Sequence, residues 1–259
     1  MPSLRTRDLE RNEVAWWSNW ATVTWLGENT WVMTSEYFDE YFLNRGGFLE
    51  CEGVGRHIRK AEELLVKRGA TPCFFVQESC KANLRRLGAE GYLPKDGMAV
   101  MTLDDAALRV NEEVRVGKVR HRDIGEWVSA YLLSFYGNLN LSAGVTDVVR
   151  RLENTNRVTL LTGRVRGRVA GVIALSRSPG LLGVYCVGTV PEFRRIGVTA
   201  TLLDSARKLA SSEGRRAILQ TIQSDGYERY YTERGFRKVY AKTLLWKSPA
   251  GTAPVQREG

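Results

Sequence analysis

Metal-binding and disulfide signatures are nearly absent from this sequence. Its four cysteines (Cys51, Cys73, Cys80 and Cys186) include no Cys-x-x-Cys pair, and its two histidines, His57 and His121, stand far apart. No zinc motif can be drawn from them, so no metal is expected, and a histidine-based triad has little to draw on. The scattered cysteines read as free thiols, which fits a reducing cytoplasm. No run of about 18 apolar residues occurs, and the first residues lack a basic stretch followed by an apolar one. The expectation is a soluble, cytoplasmic protein with no membrane partner.

What the chain does hold is enough apolar residues for two cores, and charge that is unevenly spread. Hydrophobic residues make up 43% of the 259, a length that suits two domains of about 100–150 residues each. Residues 1–105 carry a net charge of −3 and residues 106–259 carry +12. An acidic half joined to a basic half assigns any polyanion to the second. A phosphate-rich small molecule, a nucleic acid and a merely basic surface all satisfy that description.

The segment Thr189-Val190-Pro191-Glu192-Phe193-Arg194-Arg195-Ile196-Gly197-Val198-Thr199-Ala200 narrows the choice. The apolar run Leu181–Val190 stops at a proline and gives way to a basic turn, which opens into a helix. Leu202, Leu203, Ala206, Leu209 and Ala210 fall at i, i+1, i+4, i+7 and i+8, one apolar stripe. First-turn amides of a helix have no intrahelical partners, and the helix dipole favours negative charge there. Gly197 lets the backbone come close to a phosphate, and Arg194 and Arg195 add positive charge around it. Taken alone, the same residues also describe a solvated basic turn.

The rest of the second half reads as an ordered series. Val114–Val119 is a short strand, Ile124 to Tyr136 a helix, and Asp147 to Glu153 a second short helix capped by Thr146. Val158–Val165 and Val169–Ser176 are strands about an Arg166-Gly167-Arg168 turn. After the Leu181–Val190 strand and the Gly197–Glu213 helix come the strand Ala217–Ile222, a short helix Tyr227–Arg234 and the strand Arg237–Trp246. Residues 247–259 read as a frayed tail.

The loop resembles the pyrophosphate-binding loop of the GNAT acyltransferases, Arg/Gln-x-x-Gly-x-Gly/Ala, with Arg194 first and Gly197 fourth. Thr199 departs from it by standing where Gly or Ala is usual. Tyr231-Thr232-Glu233-Arg234-Gly235-Phe236 is similar to the Tyr-x-x-x-Gly-Phe pattern that closes that domain. The order β-α-α-β-β-β-α-β-α-β is the family's order as well.

The first half repeats part of that order. A helix marked by Ile58, Ala61, Leu64 and Leu65 ends at Gly69, and Thr71–Val76 is a buried strand. A helix from Asn83 to Gly88, the pair Gly91-Tyr92 and the strand Met98–Leu103 come next. The fold class is therefore α+β with mixed sheet, as two tandem GNAT-like domains: residues 1–108 diverged, 109–249 binding the cofactor, and 250–259 a tail. In the first copy the turn Glu50-Cys51-Glu52-Gly53-Val54-Gly55 places Glu50 where Arg194 stands, and Leu87 replaces the closing tyrosine. Carboxylates there repel a pyrophosphate, so this copy is expected to bind no coenzyme A. Trp16, Trp17, Trp20, Trp25 and Trp31 are read as core and inter-domain packing rather than a ligand cage.

The resemblance implies a chemistry. Acetyl-CoA is the donor, held by the backbone amides of Arg195, Ile196, Gly197, Val198, Thr199 and Ala200. Backbone around Val187, Gly188, Thr189 and Val190 receives the acetyl carbonyl and pantetheine, on a strand that splays from its neighbour in the family. Gly188 fits a close approach to the backbone, and a simple bulge fits it equally. Tyr231 is the candidate general acid, since a phenol of pKa near 10 can return a proton to a thiolate of pKa about 8.5. A core tyrosine is the competing reading. Some family members carry a glutamate thirteen residues before the loop arginine; Leu181 stands there, and no base is assigned. Glu192, expected to face solvent, and Asp225 are the acids nearby. Cys186 reads as a core residue rather than a nucleophile.

The function expected is direct N-acetyl transfer from acetyl-CoA to an amine, on a small molecule or a protein or peptide N-terminus, by a monomer or homodimer. The acceptor groove is formed, by resemblance, by the helices at 124–136 and 147–153. A basic half argues against a polycationic acceptor. Two alternatives stand: a non-catalytic acyl-CoA-binding or sensing protein, and an RNA-directed aminoacyl transferase, although the loop motif favours coenzyme A over nucleic acid.

Overall fold

The computed structural model describes residues 4–52, 55, 57–103, 108–153 and 155–247. The proposed tail, the expected glycine of the first-copy turn at Gly53, and residues 104–107 at the inferred domain boundary lie outside them. The first half runs α1 (Thr6–Trp17), β1 (Thr22–Trp25), β2 (Thr30–Thr34), β3 (Arg45–Phe48), α2 (Ile58–Lys67), β4 (Cys73–Gln77), α3 (Lys81–Ala89) and β5 (Leu93–Leu103). The second runs β6 (Arg115–Lys118), α4 (Ile124–Phe135), α5 (Ser142–Glu153), β7 (Val158–Val165), β8 (Arg168–Ser178) and β9 (Leu181–Thr189). It closes with α6 (Val198–Ser212), β10 (Arg216–Ile222), α7 (Glu228–Thr232) and β11 (Phe236–Trp246). The second-half order is the one expected. No helix among the described residues is long and apolar enough to cross a membrane.

By its contacts the chain divides into two compact units, and β5 and β11 contribute residues to each. The first takes the described residues of Met1–Ala99, Ile222–Asp225 and Tyr240–Gly259; the second takes Val100–Thr221 and Gly226–Val239. In the first unit the strands lie in the order β1-β2-β3-β4-β11-β5. α2 and α3 pack on this sheet through Ile58, Ala61, Leu65 and Leu87, against Phe48, Phe74, Val76 and Tyr92. Trp16, Trp20 and Trp31 are buried, as a packing role requires, whereas Trp25 is 47% exposed on β1.

The first unit also buries charge. Glu10 and Glu13 on α1, Arg45 on β3 and Lys242 on β11 are each 1% exposed or less. Arg45 Nη2 donates to Glu13 at 2.7 Å, Lys242 Nζ lies 3.3 Å from Glu10 and also pairs with Glu13, and the Tyr240 hydroxyl donates to Glu10 at 2.7 Å. The Arg45 guanidinium lies over Phe42 and Phe75, at 4.3 and 4.8 Å from the ring centres. Burial pushes the Glu10 carboxyl above its ordinary range. Burial acts the same way on Glu13, but the flanking Lys242 and Arg45 charges outweigh it and hold that carboxyl low.

In the second unit the order is β6-β7-β8-β9-β10, continued by the end of β5. β6 to β9 form an antiparallel meander, and α6 carries the chain over to β10, parallel to β9. Arg166 and Gly167 both have positive φ, 48° and 80°, so β7 and β8 close through a two-residue turn of the kind that matches strand twist. The run β3, α2, β4, α3, Gly91-Tyr92, β5 has the same element order as β9, α6, β10, α7, Gly235-Phe236, β11. In each the glycine is left-handed, φ 87° and 80°, and the aromatic after it is buried.

Two expectations are corrected. Thr146 caps nothing: α5 begins at Ser142, because its buried stripe of Val145, Val148, Val149 and Leu152 starts a turn earlier. Nor are all four cysteines free: Cys51 and Cys80 form a disulfide, their Cα atoms 5.0 Å apart. β3 and β4 are parallel neighbours, with Gly47 beside Phe75, so the segments that leave them emerge at one end of the sheet. A separation of 29 residues in sequence conceals that proximity. The thiol argument for a reducing compartment loses two of its four members.

Lys242→Met leaves two buried carboxylates facing one guanidinium. Breaking a buried pair from one side costs about 3–5 kcal/mol, and urea unfolding should lose that much stability. A loss below about 1 kcal/mol, the worth of an exposed pair, would show that the cluster is not sealed from water.

Candidate active site

The expected loop grows from an irregular strand. β8 pairs Val172 with Gly188 and Ala174 with Tyr185, so Cys186 and Val187 together oppose the single residue Ile173. Cys186 absorbs the extra residue with a φ of 50°. On its other edge β9 pairs Leu181, Leu182 and Gly183 with Arg216, Ala217 and Ile218, and the ladder ends there. Val190 N–H donates to the Ala170 carbonyl at 3.0 Å. Strand alternation therefore turns the amide and carbonyl of Thr189 away from β8, toward the edge that β10 has left.

The chain then makes one tight turn, Pro191–Phe193, and enters α6 through two left-handed residues, Arg195 at φ 68° and Gly197 at φ 85°. Alternation of right- and left-handed residues is one way in which backbone N–H groups come to face a common concavity, the geometry of backbone anion sites. The amides of Val198, Thr199 and Ala200, in the first turn of α6, have no partner within the helix. Val198 and Leu202 press α6 onto β8 so closely that a Cβ on Gly171 would stand 2.7 Å from Val198. The N-terminus of α6 is thereby fixed against the sheet.

Asn111, which lies before β6 and has no mark in the sequence, clamps the turn. Its side-chain amide donates to the Ile196 carbonyl at 2.7 Å, and its backbone N–H donates to Thr201 Oγ1 at 3.0 Å. Thr201 in turn donates to the Gly197 carbonyl at 3.1 Å. Thr199, the departure from the family pattern, joins its hydroxyl to that of Thr189 at 2.7 Å and so ties the end of β9 to α6.

Several side chains make contacts that the sequence does not announce. Arg194 turns back toward β9 and α4: its Nε donates to the Thr189 carbonyl at 3.4 Å and its Nη2 to the Ser134 carbonyl at 3.3 Å. Its charge thus meets the negative end of α4. Arg195 and Ile196 are exposed, and Val190 is buried. The neighbour that Gly188 accommodates is α4, since a Cβ there would lie 2.8 Å from Ser134 Cβ and 2.9 Å from the Phe135 ring. Glu192, exposed as expected, pairs with Arg168. Burial raises the Cys186 thiol well above its ordinary range, which keeps it protonated. Asp225 belongs to the first unit, where burial and the neighbouring Asp96 push its carboxyl up. Tyr231 stands apart from the loop in sequence, half-buried on α7, its ring edge-on to Phe236 with centres 5.6 Å apart.

A bulged strand with one uncovered edge, leading into an amide-lined turn, can hold an extended ligand that ends in phosphates. Known proteins resemble this chain in one domain and in fold. Residues 143–244 match the family model described as an acetyltransferase (GNAT) domain. A GCN5-related N-acetyltransferase from Kribbella flavida is 14% identical, with a TM-score of 0.69 over 94% of this chain and 96% of that one. A functionally unknown conserved protein from Staphylococcus epidermidis is 12% identical, with a TM-score of 0.65 over 92% and 98%. A tandem GNAT protein from the clavulanic acid biosynthesis pathway is 15% identical, with a TM-score of 0.60 over 81% and 76%. At these identities the structural likeness is one of fold. No match was found among curated proteins.

The left-handed Gly197, whose Cβ would also stand 3.2 Å from Asn111 Cβ, predicts an order of stability. Gly197→Ala should cost about 1–2 kcal/mol, the left-handed penalty of an ordinary residue, and Gly197→Asn less. Equal stability of Gly197→Ala and the parent in urea unfolding would show that the turn is not held in this conformation.

Proposed function

We propose that this chain, a GNAT-superfamily protein by the domain it carries, is an N-acyltransferase that moves an acetyl group from acetyl-CoA to an amine. The observation that carries the reading is the pairing of a glycine-closed turn at the α6 N-terminus with the bulged, half-uncovered end of β9. Family membership supports acyl transfer from an acyl-CoA; the acetyl group, the residue roles and the amine acceptor are our assignments.

The residues present fit coenzyme A at one point that can be tested by shape. Gly197 is left-handed and packs so closely on Asn111 that a Cβ would stand 3.2 Å from Asn111 Cβ, and the first-turn amides of α6 have no partner within the helix. These amides would hold the pyrophosphate, and the backbone of Val187 to Val190 would lie along the pantetheine and donate to the thioester carbonyl, which gathers negative charge as the amine attacks. The thioester supplies an activated acyl group with a thiolate as leaving group. We assign Tyr231 as the acid whose phenol returns a proton to that thiolate. Arg194 acts on the protein itself, locking β9 to the end of α4.

We further propose that the first half is a diverged copy that binds no coenzyme A. Glu50 pairs with Arg7 at 3.1 Å where the second half has Arg194, and Leu87, at the position of Tyr231, is fully buried. We place the reaction in the cytoplasm on the supply of its donor alone.

Calorimetry should find one coenzyme A per chain, lost in Gly197→Val. Two per chain, or an affinity that Gly197→Val leaves unchanged, would overturn the loop assignment. Tyr231→Phe should lower kcat by roughly 10²-fold with little change in acetyl-CoA affinity, because the hydroxyl serves the transition state. A wild-type kcat in that variant returns Tyr231 to a packing role.

A further inference from the structure

Residues 127–146, which run from the middle of α4 into α5, contain no charged side chain. Charged residues make up 26% of the protein, so a stretch of that length would ordinarily hold about five. The stretch is not simply core. Phe135 is 51% exposed and Leu139, in the connection to α5, is 46% exposed. Tyr131 anchors an aromatic series here, with Phe135 at 5.0 Å and Tyr136 at 6.2 Å between ring centres.

The position of this surface gives it a meaning. The Phe135 ring lies against Gly188, 2.9 Å from where a Cβ would stand, and Gly188 comes directly after the β9 bulge. An exposed aromatic ring therefore borders the strand that, in the proposed reaction, faces the thioester. A cation, Arg194, reaches this end of α4 at the Ser134 carbonyl. A second ammonium group on an acceptor would find no carboxylate along the stretch and a guanidinium at its end.

We infer that the acceptor is an amine borne on an aromatic or apolar framework, an arylalkylamine in its simplest form, packed on Phe135. The inference rests on the acyltransferase reading for where the amine stands. It also bears on the missing base. An apolar surface disfavours the charged form of an amine, so the ammonium gives its proton to solvent on binding. The neutral nitrogen then forms the C–N bond as the C–S bond breaks. The nitrogen sheds its proton to water, Tyr231 gives one to the thiolate, and the phenolate regains one from water.

Two measurements on the full chain separate this inference from the reading beneath it. With saturating acetyl-CoA, kcat/KM for 2-phenylethylamine should exceed that for spermidine, lysine or glutamate by at least about tenfold. Phe135→Ala should raise the amine KM about tenfold while changing kcat less, and Phe135→Tyr should restore it. Independently, saturation-transfer NMR without acetyl-CoA should show the phenyl protons of 2-phenylethylamine in contact with the protein, and Phe135→Ala should abolish that signal. Turnover that favours spermidine or glutamate, or phenylethylamine binding unaffected by Phe135→Ala, overturns the acceptor assignment and leaves the acyltransferase intact. Phenylethylamine binding in a protein that does not bind acetyl-CoA overturns the acyltransferase reading and keeps the aromatic surface as a ligand site.

Discussion

Between Gly183 and Thr189, β9 keeps β8 on one edge and loses β10 on the other. A parallel pair sharing only three positions means that the strand beyond it takes its partners elsewhere, as the Thr189 carbonyl does from Arg194. The bulge at Cys186 and Val187 changes the twist and register of the strand at the same place. The neighbouring elements are arranged around this opening. α4 settles on Gly188 at one side of it, and α6 begins where the strand ends. The turn between β9 and α6 is pinned by Asn111, Thr201, Thr199 and Arg194 into a shape that only the left-handed tolerance of Gly197 completes.

The first half repeats the run strand-helix-strand-helix-strand with a different use of charge. Where the second half sets arginines around the turn, the first sets Glu50, held by Arg7, and a disulfide at Cys51. Its charged residues of consequence lie inside, where Glu10, Glu13, Arg45 and Lys242 join the first helix to β3 and β11. Such a cluster specifies which strand pairs with which, because a shift in register would leave one of four buried charges alone. The first-half turn is stapled by the Cys51–Cys80 disulfide, whereas side-chain hydrogen bonds hold the second-half turn.

Much of this was legible in the residues. The stripe of Leu202, Leu203, Ala206, Leu209 and Ala210 announced α6, Arg166-Gly167 announced the hairpin, and Gly235-Phe236 announced the start of β11. Each is a local signal, in which a helix or turn is recognised by the spacing of a few side chains. The start of α5 was missed because Thr146 offered a plausible cap inside a stripe that had already begun. The buried carboxylates of α1 were missed because glutamates on a helix ordinarily face water.

The sequence by itself determined the order of the elements, the glycine at the head of α6, the polarity of the two halves and the family the second half resembles, since all of these are written in periodicity and near neighbours. Only the tertiary structure decided that Cys51 meets Cys80, that Asn111 holds the turn some ninety residues further along, that Arg194 points to α4, and that Phe135 lies against Gly188. Those are contacts between segments far apart in the chain. They arise from which strands become neighbours and where a ladder stops, and no local pattern of side chains encodes either.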